Sequence, residues 1–288
     1  MPELPEVQAL ATDLSQRLVG RTVARLEITS FVALKTVEPP VEALRGQVVT
    51  GVERHGKLLD VVAQDVRLVV HLGLGGWVRW HDGTTPPRPV RPGTGPLVAR
   101  LVLDDGPWLD VTEAGTHKIA ALYVVRQAED VPAVARLGPD PLDDDFTRTT
   151  LRGILDASGR SRVKGVLRDQ AKIAGIGNAY SDEILHTAQL SPFTPSSSVD
   201  DGELARLFDA IQGVLRGAAE RAAGLGAADL KREKKVGLRV HGRAGQACPV
   251  CGDTIRQVVY SSSSTEYCPT CQTGGVPLAD RRTSRLLK

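Results

Sequence analysis

All four cysteines of the chain fall into two CxxC pairs, Cys248-Pro249-Val250-Cys251 and Cys268-Pro269-Thr270-Cys271, with 16 residues between them. Two thiolate pairs at this separation can close a tetrahedron on zinc, each pair formed by a tight turn at the end of a hairpin. The intervening Thr254-Ile255-Arg256-Gln257-Val258-Val259-Tyr260 is β-rich and alternating, as the strand of a zinc ribbon should be. Two disulfides or a redox pair are the other readings, and both suit poorly a cytosolic chain with no spare cysteine. Four thiolates leave no open position for water, so the expected Zn2+ is structural, with Cys248, Cys251, Cys268 and Cys271 as its ligands.

At 288 residues the chain has room for two domains with cores of their own. Hydrophobic residues make up 41% and charged residues 24%, which excludes a disordered chain. No apolar run approaches the roughly 18 residues of a spanning helix, and the N-terminus lacks a basic stretch followed by an apolar one. The expectation is a cytoplasmic protein with no membrane partner. The formal net charge is only +2, but it is unevenly spread. From Lys231 to Lys288 there are eleven Lys or Arg against four acids, so this end carries +7 and the remainder −5. A cationic end on a nearly neutral chain suits a polyanion.

Residues 21–128 read as short strands: Thr22–Ile28, Val48–Glu53, Lys57–Val62, Arg67–Leu72, Gly76–Trp80, Leu97–Leu103 and Ile119–Val125. Gly56, Asp82-Gly83, Pro86-Pro87 and Asp105-Gly106-Pro107 bound them, a pattern of sandwiches and barrels. Residues 130–146, with Leu137-Gly138-Pro139-Asp140-Pro141, read as a linker. Beyond it the period becomes helical, over about 147–157, 161–169, 178–188 and 200–224. Ala174-Gly175-Ile176-Gly177-Asn178 forms a Gly-rich turn opening onto a helix N-terminus, which aims backbone N–H groups at an anion.

The N-terminus carries the chemistry. Met1-Pro2-Glu3-Leu4-Pro5-Glu6-Val7 would, on loss of Met1, present a secondary amine followed at once by a carboxylate, with a second carboxylate three residues on. An amine condenses with a sugar aldehyde carbon to an iminium, which acidifies the neighbouring carbon. A carboxylic acid beside it can protonate a ring or leaving-group oxygen. The same residues also start a helix: Pro5 suits a first turn, Val7, Leu10, Ala11, Leu14 and Leu18 keep helical spacing, and Gly20 supplies a stop.

In this order the pieces resemble the formamidopyrimidine-DNA glycosylase and endonuclease VIII family of base-excision repair enzymes. The matching residues are Pro2-Glu3-Leu4-Pro5-Glu6-Val7, Arg54-His55-Gly56-Lys57, His71-Leu72-Gly73, Gly175-Ile176-Gly177-Asn178-Ala179-Tyr180 and the four-cysteine ribbon ending in Gln272. The resemblance implies an α+β fold in two domains: an N-terminal helix and β-sandwich over 1–129, then past the linker a helix–two-turn–helix domain over 147–226 and a zinc-hairpin region over 227–288. Damaged duplex DNA is the implied partner of a monomer, and a nucleoid-associated location follows. Pro2 is implied as the nucleophile, Glu3 as the acid of sugar opening and base release, and Glu6 as a supporting carboxylate. Lys57, on a hairpin tip, would hold phosphate and act in the elimination. Gly177 and Asn178 would grip the backbone beside the lesion, with His71 and Lys164 as further phosphate contacts. From the residues alone, His71 could equally be a core histidine, Lys57 a turn lysine and Asn178 a helix N-cap.

Three departures from the family pattern stand out. Of the Met, Arg and Phe that usually fill the gap left by a flipped base, the first is replaced by Leu74, which can still wedge between bases. The Arg and Phe are missing from Asp110–Gly115. The Arg five residues before the third zinc cysteine is Ser263, which cannot replace a bidentate phosphate clamp. The segment 227–237 is short, which favours the endonuclease VIII-like branch. The expected activity is removal of oxidised pyrimidines or ring-opened purines, with abasic-site cleavage by β-elimination. The alternative is a non-catalytic binder of damaged DNA or abasic sites on the same scaffold.

Overall fold

The computed structural model describes residues 1–85, 89, 93, 95–260 and 263–278. Pro86-Pro87, Ser261-Ser262 and the cations at 281, 282, 285 and 288 lie outside the described residues. Two compact units divide the chain: residues 1–137 with 221–233, and residues 138–220 with 234–288.

In the first unit α1 spans Leu4–Leu18. Pro5 sits in its first turn, where a missing N–H costs nothing. The chain leaves the helix at Gly20, whose φ of 84° is left-handed. Leu4, Val7, Leu10, Ala11, Leu14 and Leu18 are all buried, as their spacing requires. Eight strands follow: β1 (Val23–Ile28), β2 (Val49–His55), β3 (Leu58–Ala63), β4 (Val66–His71), β5 (Gly76–His81), β6 (Leu97–Leu103), β7 (Trp108–Glu113) and β8 (Ala121–Val125). They form two antiparallel four-stranded sheets, ordered β1-β6-β7-β5 and β2-β3-β4-β8. Side chains of both sheets, among them Val23, Leu59, Val61, Leu68, Val78, Leu101 and Val111, share one core with α1. This is the expected sandwich.

The strand β7 has no counterpart among the expected ones. Its residues are buried throughout, so it lacks alternation, and Asp110 and Thr112 disguise it. Inside the sheet these polar groups are satisfied: Arg100 Nε donates to Asp110 at 2.6 Å, and the Thr112 hydroxyl donates to the Trp77 carbonyl at 3.2 Å.

In the second unit α2 (Arg148–Ser158), α3 (Val163–Arg168), α4 (Asn178–Thr187) and most of α5 (Asp201–Ala222) surround Leu151, Leu155, Val163, Leu167, Ile184, Leu185, Leu207 and Ile211. Thr147 caps α2 by accepting from the Thr150 N–H at 3.2 Å. After α5 comes α6 (Ala227–Gly237), a helix where only a short basic segment was expected. The hairpin β9 (Arg256–Val259) and β10 (Ser264–Tyr267) leads into the short α7 (Pro269–Thr273).

The expected linker, 130–146, is packed structure on both sides of the division. Val131 is fully buried with Leu58, Val69 and Val125 of the first unit, and Phe146 is buried in the core of the second. The region from 227 onward is likewise shared: Leu230 is buried in the first core, whereas the cysteine hairpin belongs to the second unit. Among the described residues, no helix is long and apolar enough to cross a membrane.

Candidate active site

The N-terminal end of α1 gathers Pro2, Glu3 and Glu6, all buried, with Glu3 3% and Glu6 2% exposed. Glu3 is the N-cap, and the Glu6 carboxylate accepts the Glu3 N–H at 2.8 Å. Glu6 thus orients the backbone of Glu3, half of a reciprocal cap that sets the residue between it and Pro2. Pro2 is buried, and Met1 before it is 42% exposed. Because Met1 is bonded to the Pro2 nitrogen, its removal opens that nitrogen to the space Met1 occupies.

Lys57 sits between β2 and β3, at the turn where Gly56 takes a φ of 56°. It is 9% exposed. Arg54, absent from the expected site residues, holds this turn. Its Nε donates to Gln8 Oε1 at 2.9 Å and its Nη1 to the Gly56 carbonyl at 3.3 Å, tying the tip to α1. The sequence signal was its place in the Arg54–Lys57 match. His71, at the end of β4, is half-buried. Burial and the neighbouring Lys57 charge lower its pKa below 6.5, so the ring is neutral near pH 7, and its Nδ1 accepts the Gly73 N–H at 3.3 Å. Leu74, two residues past Leu72, is 54% exposed.

In the second unit Gly177 is the N-cap of α4 and Asn178 its first residue, so Asn178 is not the cap that its type suggested. The turn before it is braced by Gln170, whose Nε2 donates to the Ile176 carbonyl at 2.8 Å and whose Oε1 accepts the Gly175 N–H at 2.9 Å. Asn178 Oδ1 is buried with no partner among the described residues. Lys164, expected as a phosphate contact, has partners within the fold. It is 5% exposed, and its ammonium donates to Asp182 Oδ1 at 2.5 Å and to the Ser264 carbonyl at 3.2 Å. Asp182 also contacts His241 Nδ1 at 2.8 Å, and the same nitrogen lies 2.7 Å from Glu266. Next to it, Glu183 accepts the N–H groups of Arg239, Val240 and His241 at 2.9, 2.9 and 2.8 Å. These acids carried no signal, because helical spacing alone does not separate buried from exposed charge.

The four cysteine sulfurs lie within 4.8 Å of one another. Cys251 and Cys268 are 3.3 Å apart, and Cys248 and Cys271 3.9 Å. Zinc–sulfur bonds of about 2.3 Å in a tetrahedron need edges of roughly 3.8 Å, so the cluster fits the ion. Cys248 and Cys251 flank a turn as expected, whereas Cys268 and Cys271 bracket the first turn of α7, started by Pro269. His186 Nε2 lies 3.3 Å from Cys248 Sγ. Burial, helped by Arg239, lowers its pKa to about 4, so a neutral imidazole N–H is available to that sulfur. The zinc is structural.

The first unit thus carries a proline and two acids at the head of its helix, and the second a four-thiolate hairpin. Three domain models match successive stretches: the formamidopyrimidine-DNA glycosylase N-terminal domain over residues 1–114, its H2TH domain over 137–228, and the zinc finger found in FPG and IleRS over 245–274. The chain belongs to the formamidopyrimidine-DNA glycosylase family. An uncharacterized formamidopyrimidine-DNA glycosylase-like protein of Mycobacterium tuberculosis is 54% identical over 157 residues, 54% of this chain and 98% of that one. The formamidopyrimidine-DNA glycosylase of Symbiobacterium thermophilum is 35% identical over 98% of this chain and 93% of its own length. Among solved structures, Lactococcus lactis Fpg bound to abasic-site DNA superposes with a TM-score of 0.82 at 25% identity, covering 94% of this chain and 99% of that one. MutM (Fpg) of Thermus thermophilus gives 0.79 at 31% identity, covering 96% and 100%. These four carry the formamidopyrimidine-DNA glycosylase name, not that of the endonuclease VIII branch.

Proposed function

We propose that this enzyme excises oxidised bases, pyrimidines or ring-opened purines, from duplex DNA and cuts the resulting abasic site by β-elimination through an iminium on Pro2. The observation that carries this reading is the pairing of Pro2 with a buried Glu3 whose backbone Glu6 fixes. With Met1 removed, the Pro2 nitrogen bonds to C1′ of the sugar, its own proton passing to the departing base, while the C1′–O4′ bond breaks and Glu3 gives a proton to the freed ring oxygen. The base departs with the C1′–N bond electrons, leaving an iminium. Loss of a proton from C2′ then expels the 3′ phosphate, and water releases the sugar remnant from the proline. Lys57, on its braced turn, supplies a cation for the phosphate. Gly177 and Asn178 head α4 with the partial positive charge of a helix N-terminus, suited to backbone phosphate. Zinc supplies folding energy to the hairpin.

The test is borohydride trapping on an abasic duplex, after intact mass has shown Met1 to be absent. A covalent adduct is expected, and Pro2→Gly abolishes it. Saturable binding of the abasic duplex without any adduct would instead identify a non-catalytic binder.

A further inference from the structure

The strand β7 ends on Glu113, which is 0% exposed. Its carboxylate is taken up by main-chain donors from two loops. Oε1 accepts the N–H of Leu74 at 3.3 Å and that of Ile119 at 3.1 Å, and Oε2 accepts the N–H of Ala120 at 2.8 Å. A carboxyl group buried without partners is costly, and three N–H groups remove that cost. Because two of them meet at one oxygen, the Leu74 and Ile119 nitrogens are no further apart than those two bonds laid end to end. Residues distant in sequence are therefore neighbours, and both side chains face outward, Leu74 54% and Ile119 51% exposed.

Glycine makes this junction possible. Gly73 has a φ of 65°, and a Cβ there would lie 2.2 Å from Glu113 Oε1 and 2.8 Å from the Ala120 nitrogen. At Gly75 a Cβ would come within 2.4 Å of the Ala114 carbonyl oxygen. The two loops thus meet backbone to backbone around one carboxylate, with no side chain between to let them slide. His71, whose Nδ1 accepts the Gly73 N–H at 3.3 Å, is acted on by the Lys57 charge and the Ile119 main chain, which links the junction to the proposed active site.

We infer that Glu113 is a positioning residue that sets Leu74 and Ile119 as a two-pronged apolar wedge for the gap left by a flipped nucleotide. This rests on the lesion-DNA reading above. Apolar side chains held at fixed spacing unstack a base step, and a pinned pair enters without the ordering cost that a mobile loop would carry. Ile119 thereby occupies a role for which the chain has neither the Arg nor the Phe of its family's pattern. An isoleucine offers no hydrogen bond to the orphaned base, so this wedge should discriminate little by that base.

The test uses the full chain and a duplex with a tetrahydrofuran abasic analogue, which cannot be cleaved, with 2-aminopurine beside the base opposite it. Wild-type protein should raise 2-aminopurine emission as the step opens. Ile119→Ala and Leu74→Ala, both at exposed positions that leave the core intact, should each suppress the rise and weaken binding roughly tenfold. Glu113→Gln should do the same, and Ile119→Ala should add little in its presence, a coupling that general destabilisation does not produce. Wild-type emission and affinity in both Ile119→Ala and Glu113→Gln would overturn the inference while leaving the functional reading intact. A wild-type protein without preference for the lesion duplex would overturn both.

Discussion

A buried ammonium needs a carboxylate, and Lys164 has Asp182 at 2.5 Å. Burial lowers its pKa and the Asp182 charge opposes that shift, so pairing inside the fold sustains the ion. Breaking such a pair leaves an uncompensated charge, which costs about 3 kcal/mol or more. Lys164→Met is therefore expected to lower the urea midpoint of the second unit while leaving the salt dependence of DNA binding unchanged. A phosphate contact would instead reduce the slope of log K against log salt by about 0.9. Lys164 also shows where sequence reasoning stops at this scale. Residues held by local geometry were legible: Pro2, Glu3 and Glu6 through helix-start chemistry, the four cysteines through spacing. The surroundings of Lys164, Arg54 and Glu113 were not, because their partners are brought up by the fold, from Asp182, Gln8 and the loop around Ile119.

Between elements, a second polar cluster joins α4, the 238–242 segment and β10. Burial disfavours the charge on His241, but hydrogen bonds to Asp182 and Glu266 outweigh it and raise the pKa from 6.5 to about 9. Burial likewise raises Glu266, yet the bonds from His241 and the Gly242 N–H prevail and lower it from 4.5 to about 2. The signs fix the window. The His241 contribution is complete below pH 6.5 and lost as pH rises through 9, whereas that of Glu266 is complete above 4.5 and lost as pH falls through 2. Stability of this unit should be greatest between those limits and fall by on the order of 2 kcal/mol toward pH 9. His241→Asn should flatten that alkaline limb, as read from urea midpoints across pH. An unchanged limb in the variant would assign the loss to other groups. Elements themselves were largely legible, since helices α1 to α5 and seven of the eight sandwich strands follow their hydrophobic periods. The strand β7 was not, because Asp110, Thr112 and Glu113 interrupt the apolar run that marks the similarly buried β3 and β6, and α6 was hidden by its charge.

Across the molecule, the unequal size of the cores determines what the metal must do. The sandwich core and the helical core each bury many side chains, but the hairpin core consists of Val240, Cys248, Ile255 and Cys268 with Cys271 against it. Each apolar side chain buried there contributes about 1.5–3 kcal/mol at most. Ordering the hairpin's own residues costs more than that sum, at about 1–2 kcal/mol per residue for the backbone alone. A structural zinc contributes roughly 10–16 kcal/mol in small domains, so the ion decides whether the hairpin is folded. The hairpin also lies within the +7 end of an otherwise anionic chain, and it carries Arg256 on β9. Releasing zinc with a thiol-reactive mercurial and chelating it should therefore weaken binding to the lesion duplex at least roughly tenfold, by the loss of even one or two phosphate contacts. The far-ultraviolet dichroism of the sheets and long helices should persist, since β9, β10 and α7 contribute few residues. Full affinity in protein shown by metal analysis to be free of zinc would mean that the hairpin holds its shape without the ion. In that case the small apolar core and the Glu183 clamp on residues 239–241 would have to suffice.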